Sequence, residues 1–159
     1  MKRSYIKRKT PFKIAPRGQK TRSKAKNPRK TLWDKAWRTF SLWIRKRDGN
    51  ICVTCNGYFD SVDAGHFIHK SQTAKSYFCT YNVHSQCRGE NYFRGGSQDT
   101  YSVFILTLYG EEILRSLVSS KHVTHTYSMD DLRKIIEVFG TIEPRKRYDP
   151  LCPIHSETV

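Results

Sequence analysis

Cys52 and Cys55 are separated by two residues, with Thr54 between them and Gly57 just after, a spacing that suits a tight turn. No other feature restricts the fold of this chain as strongly. A structural zinc takes four ligands at the corners of a tetrahedron, and a cysteine pair at this spacing fills two of them. A second pair has to return from downstream, which closes the intervening segment into one compact unit. Cys87 arrives at a suitable distance, but three residues further on stands Glu90 rather than a cysteine. Cys52, Cys55, Cys87 and Glu90 therefore form one ligand set, with a carboxylate as its unusual fourth member. Cys79 and the late pair Cys152 and His155 compete for that place. The opposing reading is a decayed site, with packing alone holding the region together.

On either side of this centre the pattern is helical, which gives an α+β chain with one main domain over residues 31–140. The stretch "TLWDKAWRTFSLWIRKRD" (31–48) opens with Thr31 and Asp34 in capping-box-like spacing. Trp33, Trp37, Phe40 and Ile44 recur at helical intervals and are assigned to core packing, with Arg38, Arg45, Lys46 and Arg47 on other faces or in the last turn. Residues 50–98 form the centre, where "ICVTC", "GYF", "SVDAGHFIH" and "YNVHSQC" read as short strands and turns before the pattern becomes helical near 88 or 91. The helical end, 99–140, divides into "DTYSVFILTLYGEEILRSLVSS", interrupted near Gly110, and "SMDDLRKIIEVFG", capped by Ser128 and stopped by Gly140. Tyr77, Phe78, Tyr92 and Phe93 are assigned to the core. The proline-containing tail, 141–159, is expected to be irregular.

Charge is distributed unevenly. The net charge is +15, yet residues 1–30 hold 13 Lys and Arg and no acid, leaving 16 basic against 14 acidic side chains in the remainder. Residues 1–30 thus read as a flexible basic arm on a nearly neutral body. Lys2, Arg3, Lys7, Arg8 and Lys9 are candidate phosphate contacts, because each cation laid against a nucleic-acid backbone releases counterions whatever the base sequence. Lys70, Lys75, Arg88 and Arg94 flank the centre and can grip phosphate too. A solubilising tail is the plainer alternative. The arm has no strong apolar face for a membrane surface, and no apolar run has the length of a secretory leader or a membrane span. A soluble, cytoplasmic protein that binds DNA is expected.

His66 ends the run "SVDAGH" and has three possible fates: metal ligand, proton acceptor or plain strand residue. His69, His122 and His125 are expected to be solvated. The ordered series around His66 goes further. R-x-R-D precedes C-x-x-C, then come D-x-G-H-F and N-V-H-x-Q-C, then an asparagine followed four residues later by glycine. Together these elements closely resemble the NinG/Rap family of lambdoid-phage recombination nucleases and, more widely, the HNH or His-Me finger endonucleases. The resemblance covers roughly residues 42–118.

That resemblance implies a ββα-metal core: two antiparallel strands and a helix around one catalytic Mg²⁺ or Mn²⁺, stapled by zinc. It implies that His66 is the general base, that Asn82 fixes the loop carrying His66, and that Asn91 ligates the catalytic metal. The chemistry is consistent, since a neutral imidazole accepts a water's proton near neutral pH and an amide oxygen is a hard ligand. Many HNH enzymes carry Asp directly before the histidine, whereas here that residue is Gly65. Asp63, on the same strand face as Gly65, and His84, sharing a face with Asn82, are further candidate ligands. The implied function is hydrolysis of phosphodiester bonds in branched recombination intermediates, Holliday junctions and D-loops, in the host cytoplasm of a phage. A homodimer would provide the paired cuts that resolving a junction requires. The alternatives are a non-specific or nicking HNH enzyme, and a non-catalytic, zinc-stapled nucleic-acid-binding protein.

Overall fold

The computed structural model describes residues 27–144. Along this stretch run α1 (Pro28–Arg47), β1 (Asp63–His66), β2 (Val83–Gln86), a π-helical turn (Gly89–Phe93), α2 (Gln98–Tyr109), α3 (Glu111–Ser119) and α4 (Met129–Thr141), an α+β arrangement. Lys2, Arg3, Lys7, Arg8, Lys9, Cys152 and His155 lie outside the described residues.

α1 starts before Thr31. Asn27 caps it, its side-chain oxygen accepting from the backbone N–H groups of Arg29 at 3.0 Å and Lys30 at 3.4 Å, with Pro28 in the first helical position. Asn followed by Pro is the stronger start signal. Thr31 instead donates its hydroxyl to the Asn27 carbonyl, and Asp34 pairs with Lys30. Residues 28–30, counted above with the basic arm, are therefore helical, and Arg29 reaches across to the Tyr127 carbonyl at 2.7 Å.

The apolar stripe of α1 packs against α4 and the sheet. Ala36, Phe40, Trp43 and Ile44 meet Phe78, Val83, Leu132, Ile135 and Phe139 in one buried cluster. Ser128 and Asp131 close a capping box at the start of α4. Gly140 does not stop that helix. It lies inside α4, facing Thr39 of α1, and the chain leaves at Ile142 in an extended conformation, two residues before Pro144. Gly110, with φ of 90°, does separate α2 from α3. These two helices cover a second cluster of Phe67, Ile68, Cys79, Tyr101, Ile105 and Leu117.

β1 and β2 are antiparallel, with Asp63 opposite Gln86, Gly65 opposite His84 and His66 opposite Val83. Alternation then sends Ala64, His66 and Val83 toward α1 and Asp63, Gly65, His84 and Gln86 toward α2. The remaining expected strands are absent among the described residues: Ile51 and Tyr58 form a single bridge. Asn50 and Asn56, at φ of 59° and 57°, turn the chain too sharply around the cysteine pair for a longer ladder. Tyr92 and Phe93, assigned to the core from sequence, are 70% and 78% exposed.

The R-x-R-D element is a structural clamp. Arg47 is buried at the end of α1 and donates to the carbonyls of Thr80 at 2.8 Å and Val83 at 2.9 Å, while its Nε meets Asp48 at 2.7 Å. Asp48 in turn accepts the Ser85 N–H at 2.7 Å. Helix end and second strand are thereby fixed to one ion pair. Asp48→Ala leaves a buried guanidinium without its counter-charge, so a loss of about 3–5 kcal/mol is expected. The urea unfolding midpoint measures it.

Candidate active site and metal centres

The turn that the sequence places at Cys52–Gly57 is closed by two backbone bonds, Cys52 N–H to Gly57 at 2.8 Å and Asn56 N–H to Cys52 at 2.8 Å. Val53 N–H then reaches Ser85 of β2 at 2.9 Å, which carries the turn to the start of the Cys87 segment. The sulfurs of Cys52, Cys55 and Cys87 all lie within 4.8 Å of one another, with Cys55 and Cys87 at 3.9 Å. Burial alone would raise the Cys52 thiol, but the Thr54 hydroxyl and the backbone N–H groups of Cys87, Cys55 and Thr54 bring its pKa down to about 7. Burial, together with the adjacent sulfurs, raises that of Cys55. A sulfur surrounded by N–H donors is poised as a thiolate, the form that binds metal. Three soft ligands on a tight turn and a strand end fit zinc.

The expected fourth ligand is elsewhere. Glu90 is buried, but its carboxylate accepts from Arg94 at 2.7 Å and from the Ser97 hydroxyl. Cys79 belongs to the second core cluster. Among the described residues no other Cys, His, Asp or Glu joins the three sulfurs.

His66 ends β1 half-buried, its ring stacked on Trp37 with centroids 5.1 Å apart and planes at 15°. Tyr77 closes the other side at 4.9 Å. Nε2 lies 3.0 Å from the Tyr77 carbonyl, which can only accept. Nε2 therefore carries the proton, and the neutral ring presents its lone pair at Nδ1, which has no partner among the described residues. Burial lowers the pKa to about 4, with His69 and Lys70 adding repulsion against the partial opposition of the Tyr77 carbonyl. At neutral pH this imidazole is uncharged and can accept a proton.

Asn82 is wholly buried immediately before β2. Its side-chain oxygen accepts the Ile68 N–H at 2.7 Å, and its Nδ2 donates to the carbonyls of Ile68 at 3.2 Å and Ser76 at 3.1 Å. Its own carbonyl accepts the Phe67 N–H at 2.7 Å. One amide thus ties both ends of the β1–β2 connection, including the segment that follows His66 and the one that leads to Tyr77.

The candidate oxygen ligands gather on the other face of β1. Asn91, on the π-helical turn rather than on a regular helix, donates through Nδ2 to Asp63 at 3.3 Å. Gly65 has no side chain there, and a Cβ on it would sit 3.0 Å from Asn91 Oδ1 and 2.1 Å from Gln86 Oε1. A carboxylate and two amide oxygens around a glycine form a hard donor set, which fits Mg²⁺ or Mn²⁺. His84 is not part of it. Both its nitrogens are taken, by the hydroxyls of Tyr101 at 3.0 Å and Tyr109 at 2.9 Å, and complete burial holds its pKa well below the usual value. It is a core histidine, and the metal-ligand expectation for it does not hold.

His66 and the oxygen group occupy opposite faces of β1, separated by the thickness of one strand. Lys70, Arg88 and Arg94 are exposed on the flanking segments. The sequence reading missed Gln86, which looks like any polar strand residue, and the Trp37 and Tyr77 contacts to His66. The signal for Gln86 is its register: two residues after His84, it shares the face of Gly65.

A family model described as Bacteriophage Lambda NinG protein matches residues 1–143. No curated protein and no solved structure matches the chain. The family match extends past residues 42–118 to take in the basic arm and α4. With the match covering most of its length, the chain belongs to the bacteriophage lambda NinG family.

Proposed function

We propose that this chain is a metal-dependent DNA endonuclease with a ββα-metal core, acting on branched intermediates of phage recombination. The observation that carries the reading is the state of His66: neutral, oriented by the Tyr77 carbonyl, with Nδ1 unpartnered among the described residues and a hard-oxygen group on the opposite face of the same strand. A water at Nδ1 gives up its proton to the ring as it attacks phosphorus, and the bond from phosphorus to the opposite sugar oxygen breaks, that oxygen leaving as an alkoxide that takes a proton from solvent. The imidazolium that forms is stabilised through Nε2–H to Tyr77 and by the Trp37 face. The negative charge of a bound phosphodiester raises the histidine's pKa and makes it a better base in the complex. Asp63 and Asn91 would hold the cation, which when bound neutralises charge on the phosphoryl oxygens. A scissile phosphate has to lie over the end of β1 to meet both faces. The three cysteines hold the turn that anchors β2, in the role of a structural zinc site.

The test is incubation with nicked, linear and four-way DNA, with and without Mg²⁺. Cleavage of the four-way substrate only with metal is expected. Cutting all three alike favours a non-specific or nicking enzyme. Binding without any cleavage overturns the enzyme in favour of a zinc-stapled binding protein.

Two further outcomes follow from this reading. Removal of residues 1–26, which leaves the Asn27 cap intact, should weaken binding to every DNA shape alike. It should also reduce the slope of log affinity against log salt by about 0.9 for each phosphate that the arm would otherwise neutralise. Titration at several salt concentrations measures it, and loss of junction binding alone would assign branch recognition to the arm. Paired cutting also calls for a dimer on junction DNA. Exposed Val103, Leu106 and Val118 on α2 and α3 offer an apolar surface for it, and sedimentation that finds monomers throughout would leave a nicking enzyme.

A further inference from the structure

Gln86 is wholly buried and its amide is held one way round. Nε2 donates to the Gly96 carbonyl at 2.9 Å and faces the Thr54 hydroxyl at 3.4 Å. Turning the amide over would set its oxygen against a carbonyl oxygen. Oε1 is therefore directed over Gly65, and there it has no hydrogen-bond partner among the described residues. A buried acceptor in that state is costly unless something else satisfies it. Around Gly65 stand three acceptors, Gln86 Oε1, Asn91 Oδ1 and the Asp63 carboxylate, with Asn91 Nδ2 as the donor among them. Turning the Asn91 amide over would take its donor away from Asp63, so an acceptor would still be left without one. A cation satisfies all three oxygens at once.

We infer that Gln86 Oε1 is a direct ligand of the hard divalent cation held by Asp63 and Asn91, and that residue 65 is glycine because this oxygen occupies the space of its side chain. The inference rests on the cation-site reading above and adds to it a ligand from β2 and a coupling between positions 65 and 86. Asp63 and Gln86 stand opposite each other in the ladder, so both ligands start from one rung of the sheet.

The probe is Mn²⁺ binding to the full-length protein without DNA, followed by the loss of the free-ion spin-resonance signal and by the Mn²⁺-induced rise in melting temperature. Gln86→Met keeps the volume and removes the hard oxygen. It should weaken Mn²⁺ binding at least about tenfold, since even outer-shell partners of a metal are worth that much. Gly65→Ala keeps Gln86 but forces its oxygen away, and should weaken binding comparably, which decides the matter if Gln86→Met fails to fold. If Asn91→Ala loses Mn²⁺ while both these variants bind as the natural chain does, Gln86 holds water and the inference fails alone. If the natural chain binds no Mn²⁺ that Asn91→Ala removes, the cation-site reading fails as well.

A second inference stands on a different observation. Tyr92 and Phe93 are 70% and 78% exposed on the turn that carries Asn91. Their rings are 5.2 Å apart at 86°, so they present two perpendicular apolar faces. The Arg88 guanidinium lies 5.8 Å from the Tyr92 ring centre, and the Arg94 side chain is 72% exposed while tied to Glu90. The turn itself is held in place through Glu90, whose carbonyl accepts the Gly96 N–H at 2.8 Å. Exposed rings among cations attract an anionic chain that has aromatic faces. We propose, resting on the branched-DNA reading above, that Tyr92 and Phe93 stack on a nucleobase freed from its pair at a DNA branch, next to the site of cleavage. Tyr92→Ala/Phe93→Ala alters only exposed surface. It should lower affinity for a four-way junction roughly tenfold or more, leave duplex affinity unchanged and abolish the quenching of 2-aminopurine placed at the branch point. Junction affinity and quenching equal to those of the natural chain would overturn the proposal.

Discussion

His66→Ala is expected to lower the cleavage rate by ~10²–10⁴-fold, the usual worth of a general base. DNA affinity should stay within about twofold, because the base acts on the water in the transition state and contributes little to the ground-state complex. Single-turnover cleavage and a filter-binding titration separate the two. Retention of more than about a tenth of the natural rate would remove His66 from the chemistry. The pH dependence gives an independent reading. Since burial lowers the His66 pKa to about 4, the free protein keeps this ring neutral well below pH 6.5, and the acid limb of kcat/KM should lie below that value. Stability runs the same way. The folded pKa values of His66 and His84 are depressed, so the unfolded chain takes up protons first as pH falls below about 6.5. Unfolding free energy should therefore decline from there toward pH 4. An acid limb centred at or above pH 6.5 would mean that another group limits the rate.

Cys52→Ser should have the largest effect on folding. Structural zinc binding contributes about 10–16 kcal/mol in small domains, and the turn that brings the three sulfurs together has little apolar packing of its own. Elemental analysis should find about one zinc per natural chain and none in the variant. Cooperative unfolding should be lost in the variant and in protein stripped by a chelator. Protein that is metal-free as purified yet folded would rule out the zinc staple. Glu90→Ala is expected to keep its zinc, because that carboxylate is committed to Arg94 and Ser97. Cys152→Ser and His155→Ala then decide whether the tail supplies a fourth ligand.

Much of the framework was legible because local chemistry specified it. Gly110 breaks the helical pattern where a positive φ is needed, and Ser128 with Asp131 forms a cap from side chains three residues apart. The cysteine spacing brought three sulfurs together, since a tight turn and a returning strand leave few other closures. Failures occurred where the outcome depended on a distant partner. Glu90 has a ligand's spacing but is captured by Arg94 and Ser97. Gly140 looks like a stop signal, yet α1 packs beside it and the helix runs past it. Tyr92 and Phe93 carry the composition of a core, but the π-helical turn uses its single inward position for Glu90. Strand alternation placed Asp63 and Gly65 together, whereas the Gln86 oxygen above Gly65 becomes evident only when the ladder register is known. His84 failed as a ligand because two tyrosine hydroxyls from α2 consume both its nitrogens.

The parallel stacking of Trp37 on His66 gives the molecule an internal optical gauge. Of the three indoles, on Trp33, Trp37 and Trp43, only that of Trp37 lies against this imidazole. A proton taken up at Nδ1 turns the stacked ring into a cation in direct contact with an excited-state donor, and an imidazolium quenches indole emission. The brightness of Trp37 therefore follows the charge on His66 in the intact protein, without label or substrate. Phosphate arriving over the end of β1 would be registered as a shift in the midpoint of that signal, so the environment of this histidine can be followed while DNA is bound and uncut.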